Sequence, residues 1–293
     1  MERERRRGLG RRLIEPLFRR VRRLDIVRNL ARSGEYERLR AAFINNGRTS
    51  EVTVAQREEI VRRFEQIDLT VPIASSPVEG LALAEIMISL SCPGDVVECG
   101  CYSGGSTSKL SIVAGMSGRR LHVFDSFEGL PDVESWNRRD YHSRHGSAWV
   151  TEWTAGRYTA ALDCVRENVR RFGNIDVCHF TKGWFSDTLT AVHLPDRIGM
   201  AFTDVDIASS ARDCIVALWP RLEQGSVFAS HDVAYIKVMQ TLHDEALWTT
   251  VLKDFPPVFF GAGFGLGDLA PHLGYAVKGP VSAEYINGLT LEK

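Results

Sequence analysis

From residue 94 to residue 252 the chain repeats one pattern: a short apolar run ending at an acid or a small polar residue, then a stretch with helical spacing. The runs DVVECG (95–100), LHVFDSF (121–127), IDVCHF (175–180), IGMAFTDVDI (198–207) and SVFASHDV (226–233) read as strands. The segments 104–116, 158–173, 209–222 and 235–252 read as helices, with a short helix starting at 185. The helix at 209 is expected to carry a serine cap. Buried strands alternating with crossover helices predict an α/β fold with a doubly wound, mostly parallel sheet. The tail, 257–293, predicts an edge strand pair. Helical stretches near 54–67 and 77–90 precede the first strand, so the sheet carries an N-terminal helical extension.

In such sheets ligands sit beyond the C-terminal strand ends. Here those ends carry Glu98, Asp125, Asp204, Asp206, His231 and Asp232. Unpaired buried charge is costly, so acids at several successive strand ends mark a site. The first turn, GCYSGGSTS, is not a phosphate loop, because no Lys-Ser/Thr pair follows Gly104-Gly105. Gly100, Gly104 and Gly105 also miss the dinucleotide spacing, and an acid at Glu98 repels a pyrophosphate. A cationic ligand reverses that argument. S-adenosylmethionine (SAM) carries an ammonium and a sulfonium. Glu98 is placed to attract the amino-acid end, Asp125, 27 residues on, to take the ribose hydroxyls, and Phe127 to lie against adenine.

Asp204 and Asp206 stand two apart, on one side of a strand, with His231 and Asp232 at another strand end. Carboxylates suit Mg2+, and an imidazole is more at home with Mn2+ or Zn2+. A metal held by Asp204, His231 and Asp232 would lower a substrate hydroxyl's pKa. The alternative is that Asp204 and Asp232 cap helices or orient the cofactor. The long insertion at 131–156 is expected to be a lid, with His142 or His145 as general base.

Four stretches, PGDVVECGCYSGGST, VFDSFEGLPD, TKGWFSDTLT and DVDIASSARDCIVALWPRLEQGSVFASHDV, occur in this order. Together they resemble the macrocin O-methyltransferase (TylF/MycF-like) family over roughly residues 70–255. The resemblance implies a Rossmann-like class I methyltransferase fold and SAM-dependent methylation of sugar hydroxyls on natural products, commonly with Mg2+. By position it implies that Glu98, Gly100, Tyr102, Ser103 and Gly104 form the first SAM loop. Asp125, Ser126 and Phe127 match the ribose and adenine segment, Gly183 and Trp184 the turn near adenine, and Ser76 a cofactor-contacting Thr. Asp204 matches the first metal aspartate and Asp206 the second acid of that motif, which the cofactor side takes. His142 matches the catalytic histidine best, with His145 in reserve. His231-Asp232 departs from the family's Asp-Asp pair, which removes one hard oxygen ligand.

Residues 1–40 hold fourteen arginines against six acids, a net +8, which leaves −9 for the rest of a chain of net charge −1. An acidic body argues against a nucleic-acid partner. Leu13, Leu17, Val21, Leu24 and Val27 give the arm an amphipathic helical period. It reads as contact with an anionic membrane surface or nucleic acid or, preferred, as packing on the body or on a second subunit of a homo-oligomer. The expected organisation is a basic arm (1–50), a helical cap (51–93) and a SAM-binding domain (94–293). Six cysteines without metal spacing, no signal-peptide apolar region and no run near the roughly 18 residues of a membrane helix lead to a cytoplasmic expectation. The expected partner is a hydroxylated small-molecule acceptor. Two rivals stand beside this reading: a glycosyltransferase using Asp204 and Asp206 as a DxD motif, and a non-catalytic methyltransferase-fold binding protein.

Overall fold

The computed structural model describes residues 34–133, 139–144, 147–263 and 265–291; the side chains of 142–144 and 147–149 lie outside the description. The arm helix expected near Pro16 and the candidate base His145 fall outside the described residues.

Among the described residues three helices precede the sheet: α1 (Gly34–Asn45), α2 (Val54–Thr70) and α3 (Pro77–Ser89). Both α2 and α3 start with a capping box, Thr53 with Gln56 and Ser76 with Glu79, and Pro77 opens α3, where its missing N–H costs nothing. Then come β1 (Asp95–Cys99), α4 (Gly105–Met116), β2 (Leu121–Asp125), β3 (Arg139–Arg144), β4 (Ser147–Glu152), α5 (Leu162–Phe172) and β5 (Cys178–Lys182). The chain continues through α6 (Phe185–Thr188), β6 (Ile198–Thr203), α7 (Ala208–Leu218), β7 (Leu222–Ser230), α8 (Ile236–Leu242), β8 (Gly274–Val277) and α9 (Ala283–Gly288).

Six strands form one sheet in the order β5-β2-β1-β6-β7-β8, parallel except for β8. The chain runs outward from β1 through β2 to β5, returns to β6 and runs out the other way. The topological switch point therefore lies between β1 and β6. The expected tail pair is realised as β8 with a bridge between Phe260 and Tyr275.

Two apolar clusters sandwich the sheet. Val96 and Val123 face one with α1–α4, while Val97, Cys99 and Phe228 face the other with α7 and Trp248. The helical extension thus shares its apolar cluster with one face of the sheet. Helix α7 differs from expectation at its start: its N-cap is Ile207 and no side chain caps it. All six cysteines are free, and no helix among the described residues is long and apolar enough to cross a membrane.

Candidate active site

A cavity of about 420 Å3 opens over the C-terminal ends of β1, β2, β5, β6 and β7. Its wall includes Gly100, Tyr102, Asp125, Ser126, Gly183, Trp184, Asp204, Asp206 and His231, nine of the residues singled out from sequence. They converge because the strands are parallel and each ends beside its neighbour.

Gly100 sits at the switch point with φ +84°, and a Cβ there would lie 1.9 Å from the Asp204 carbonyl oxygen. Only glycine fits between the two strand ends. Gly104 begins α4 at φ +81°, where a Cβ would press on Val165. The Asp125 carboxylate accepts from Cys101 N and Phe127 N, both at 2.7 Å, and is thereby aimed from the β2 end toward the cavity. Ser126 closes the adjoining turn, its hydroxyl donating to Gly129 O.

Other expected contacts lie off the cavity wall. Glu98 shares the face of β1 with Val96 and points under the turn toward Ser106 and Thr107, fully buried. Burial pushes its pKa up to about 8 against the pull of those hydroxyls. The sequence reading set it at the cofactor's cationic end; in the structure it is buried and does not line the cavity. Phe127, expected against adenine, packs in the core at φ +55°. Ser76 caps α3 and donates to Leu269 O. Gly104 is the N-cap of α4, and Ser103 O accepts from Asn168 Nδ2 at 2.9 Å; neither lines the cavity. His142 lies on β3 opposite Trp149, with its side chain outside the description.

On the other side of Gly100 a charged cluster fills the ends of β6 and β7. Asp232 is fully buried, and its Oδ2 accepts from Val205 N at 2.8 Å and Asp206 N at 3.1 Å, shaping the loop after β6. Its Oδ1 is buried with no hydrogen-bond partner. His231 lies between two carboxylates, with Nε2 3.1 Å from Glu79 Oε2 and Nδ1 3.4 Å from Asp204 Oδ1. Glu79 comes from α3, 152 residues away in sequence, and is held by Ser76 N at 2.6 Å and His272 N at 3.2 Å. Burial works to raise the Glu79 pKa, but His231 and these N–H groups hold it at about 2. Burial works to lower that of His231, and Glu79 and Asp204 raise it well above its ordinary value. Burial and the Asp204 carboxylate push Asp232 up to about 7, and burial with Asp232 and Asp204 drives Asp206 well above its ordinary value.

Four carboxyl groups thus crowd one imidazole, an arrangement that fits a bound cation. One donor atom each from Asp204, His231 and Asp232 lies within 4.8 Å of the others. The partnerless Asp232 oxygen supplies a buried acceptor.

Sequence reasoning missed Glu79, His272, Tyr235, Arg157 and Tyr158. The last four line the cavity, with Arg157 stacked over Tyr158 and Trp153 and with Tyr235 5.1 Å from Trp153. Glu79 carried a legible signal, because Ser76 and Glu79 have capping-box spacing and Glu79 is one of two acids, with Glu85, in a mostly apolar helix.

The sequence model of the macrocin-O-methyltransferase (TylF) family matches residues 81–246. The 8-demethyl-8-(2,3-dimethoxy-alpha-L-rhamnosyl)-tetracenomycin-C 4'-O-methyltransferase of Streptomyces olivaceus is 33% identical over 164 residues, 55% of this chain and 60% of that protein. The demethyldecarbamoylnovobiocin O-methyltransferase of Streptomyces niveus is 30% identical over 149 residues, 48% and 53% of the two chains. The matches therefore span less than two thirds of these relatives. Among solved structures, the O-methyltransferase NovP superposes with a TM-score of 0.54 at 19% identity, over 83% of this chain and 98% of that one. The calicheamicin methyltransferase CalS11 gives 0.51 at 17%, over 85% and 94%. At these identities the likeness is one of fold.

Proposed function

Because the chain belongs to the macrocin-O-methyltransferase (TylF) family, we propose that it transfers a methyl group from SAM to a hydroxyl of a sugar or other polyhydroxylated small molecule in natural-product biosynthesis. The observation that carries this reading is the division of one cavity by Gly100, with a pinned acid on one side and a carboxylate-rich cluster on the other. Asp125, fixed by two backbone N–H groups, keeps lone pairs for a ribose diol. Trp184, 38% exposed on the wall, offers its ring to an adenine. The surplus of carboxylates suits a cationic methyl donor and disfavours a diphosphate.

At the acceptor end, Asp204, His231 and Asp232 would hold a divalent ion, whose chemistry is to polarise a hydroxyl and lower its pKa. His142 is the proposed base, on a ribbon fastened beside the cavity by Asp140, whose carboxylate accepts from Lys237 N at 3.1 and 3.2 Å. The remaining task of the chain is positioning: holding the oxygen in line with the methyl group while the walls exclude water.

Calorimetric titration tests the reading. SAM is expected to bind one to one, Asp125→Ala to weaken it at least ~10-fold, and a nucleotide sugar not to compete. Labelled methyl from SAM should then appear on a rhamnosylated or similar polyol acceptor. Binding of the nucleotide sugar without SAM binding would overturn the proposal in favour of glycosyl transfer.

A further inference from the structure

The donor set at the ends of β6 and β7 contains a nitrogen, and that nitrogen is oriented from outside the site. Glu79 takes three N–H groups: Ser76 N and His272 N from the backbone and Nε2 of His231. A carboxylate fixed in this way accepts the Nε2–H and leaves Nδ1 facing Asp204. Carboxylate-backed imidazoles of this kind are the usual support of a metal-ligating histidine.

Three further observations agree. The Nδ1 to Asp204 Oδ1 separation, 3.4 Å, is long for a charge-assisted hydrogen bond, which runs about 2.7–2.9 Å. It matches two donors of one tetrahedral ion at ~2.1 Å, which stand about 3.4 Å apart. Asp232 Oδ1 is buried without a hydrogen-bond partner. Finally, Asp204 and His231 both reach the cavity wall, so an ion there would keep an open side for an acceptor oxygen.

We propose that Asp204, His231 and Asp232 form a mixed nitrogen–oxygen site that selects a borderline divalent transition ion, Mn2+ or Zn2+, over Mg2+, with Glu79 as the positioning residue for His231. Mg2+ demands oxygen ligands and sheds water reluctantly, whereas imidazole favours later first-row ions. The inference rests on the acceptor-end reading of the site but not on the identity of the methyl donor.

The test is calorimetry of the metal-free full chain with MgCl2, MnCl2 and ZnCl2, without SAM or acceptor. Mn2+ or Zn2+ is expected to bind one to one and at least ~30-fold tighter than Mg2+. Pulsed EPR of the Mn2+ form should show coupling to one histidine nitrogen. His231→Asp should bring the preference below ~5-fold, and Glu79→Gln should weaken the transition ion ~10-fold or more while circular dichroism stays unchanged. Three results overturn the proposal: equal affinity for Mg2+, no divalent binding, or an unaltered preference in His231→Asp. SAM titration runs separately. If SAM fails to bind while the ion preference holds, the methyl-transfer reading alone falls.

Discussion

Glu98 shows how one side chain can belong to a site's neighbourhood without lining its cavity. On a strand, residues two apart share a face, and Val96 commits that face of β1 to the helix side. That periodicity was on the page in DVVEC, yet an acid before a glycine turn reads first as a ligand contact. The structure gives it a buried, largely protonated carboxyl with its pKa near 8. An acid whose pKa is higher in the folded than in the unfolded state loses stability as pH rises between the two values, here from about 4.5 toward about 8. Glu98→Gln should therefore stabilise the ligand-free protein at pH 8 by ~4 kcal/mol, and by less than about 1 kcal/mol at pH 5. Urea titrations at the two pH values decide, and an equal difference at both would refute the burial argument. Glu79 is the opposite case. Its role depends on His231, 152 residues away, and no local pattern reveals such a pairing. The capping box announces that Glu79 serves α3; only the packing of α3 against the β7 end shows that it serves the cavity as well.

The insertion after β2 was legible as an insertion and not as an element. Its two strands, RDYHSR and SAWVTE, lack a clean apolar alternation, because a two-stranded ribbon has little core to face. Its fastening comes from outside the ribbon. Asp140, 1% exposed, caps the start of α8 through Lys237 N and also accepts from Tyr141 N, and Trp153 stacks edge-on against Tyr235, which lines the cavity. Asp140→Ala should release the ribbon from α8. The acceptor KM is expected to rise ~5-fold or more with SAM affinity within twofold of wild type. An unchanged acceptor KM would show that the ribbon does not bear on acceptor binding. The strand–helix alternation itself was readable from sequence because buried parallel strands are apolar on both faces. Helix starts were read less well, as at α7, where Ile207 stands in place of the expected serine cap.

Over the molecule as a whole, one apolar cluster runs from Tyr36 and Phe43 in α1 through α2 and α3 to Val96 and Phe202 in the sheet. Arg57 is one polar link in this stack, beside the buried pair Lys109–Asp68. Fully buried, it pairs with Glu85 and donates to Phe43 O at 2.9 Å and Val52 O at 3.2 Å, joining α1, α2 and α3. Removing one partner strands the other charge, so Arg57→Ala should cost about 3–5 kcal/mol. Because the helices share the sheet's core, the loss should appear as one shifted transition in both far-ultraviolet dichroism and tryptophan fluorescence. Two separated transitions would instead show that the helical segment unfolds by itself. The overall topology and the family were legible because the four diagnostic stretches all fall inside the matched segment, 81–246. What stayed hidden, such as Arg57 with Glu85 and Glu79 with His231, depends on contacts between segments that no window of sequence contains.

The backbone contact at Gly100 has a consequence for how such a site diverges. The spacing between its two ends is set by main chain touching main chain, as by a ruler built into the sheet. On the methyl-transfer reading proposed above, side chains at the acceptor end could change size, charge or metal taste without altering how far the donor end stands from them. What is methylated could then be rewritten while the reach of the transfer is kept.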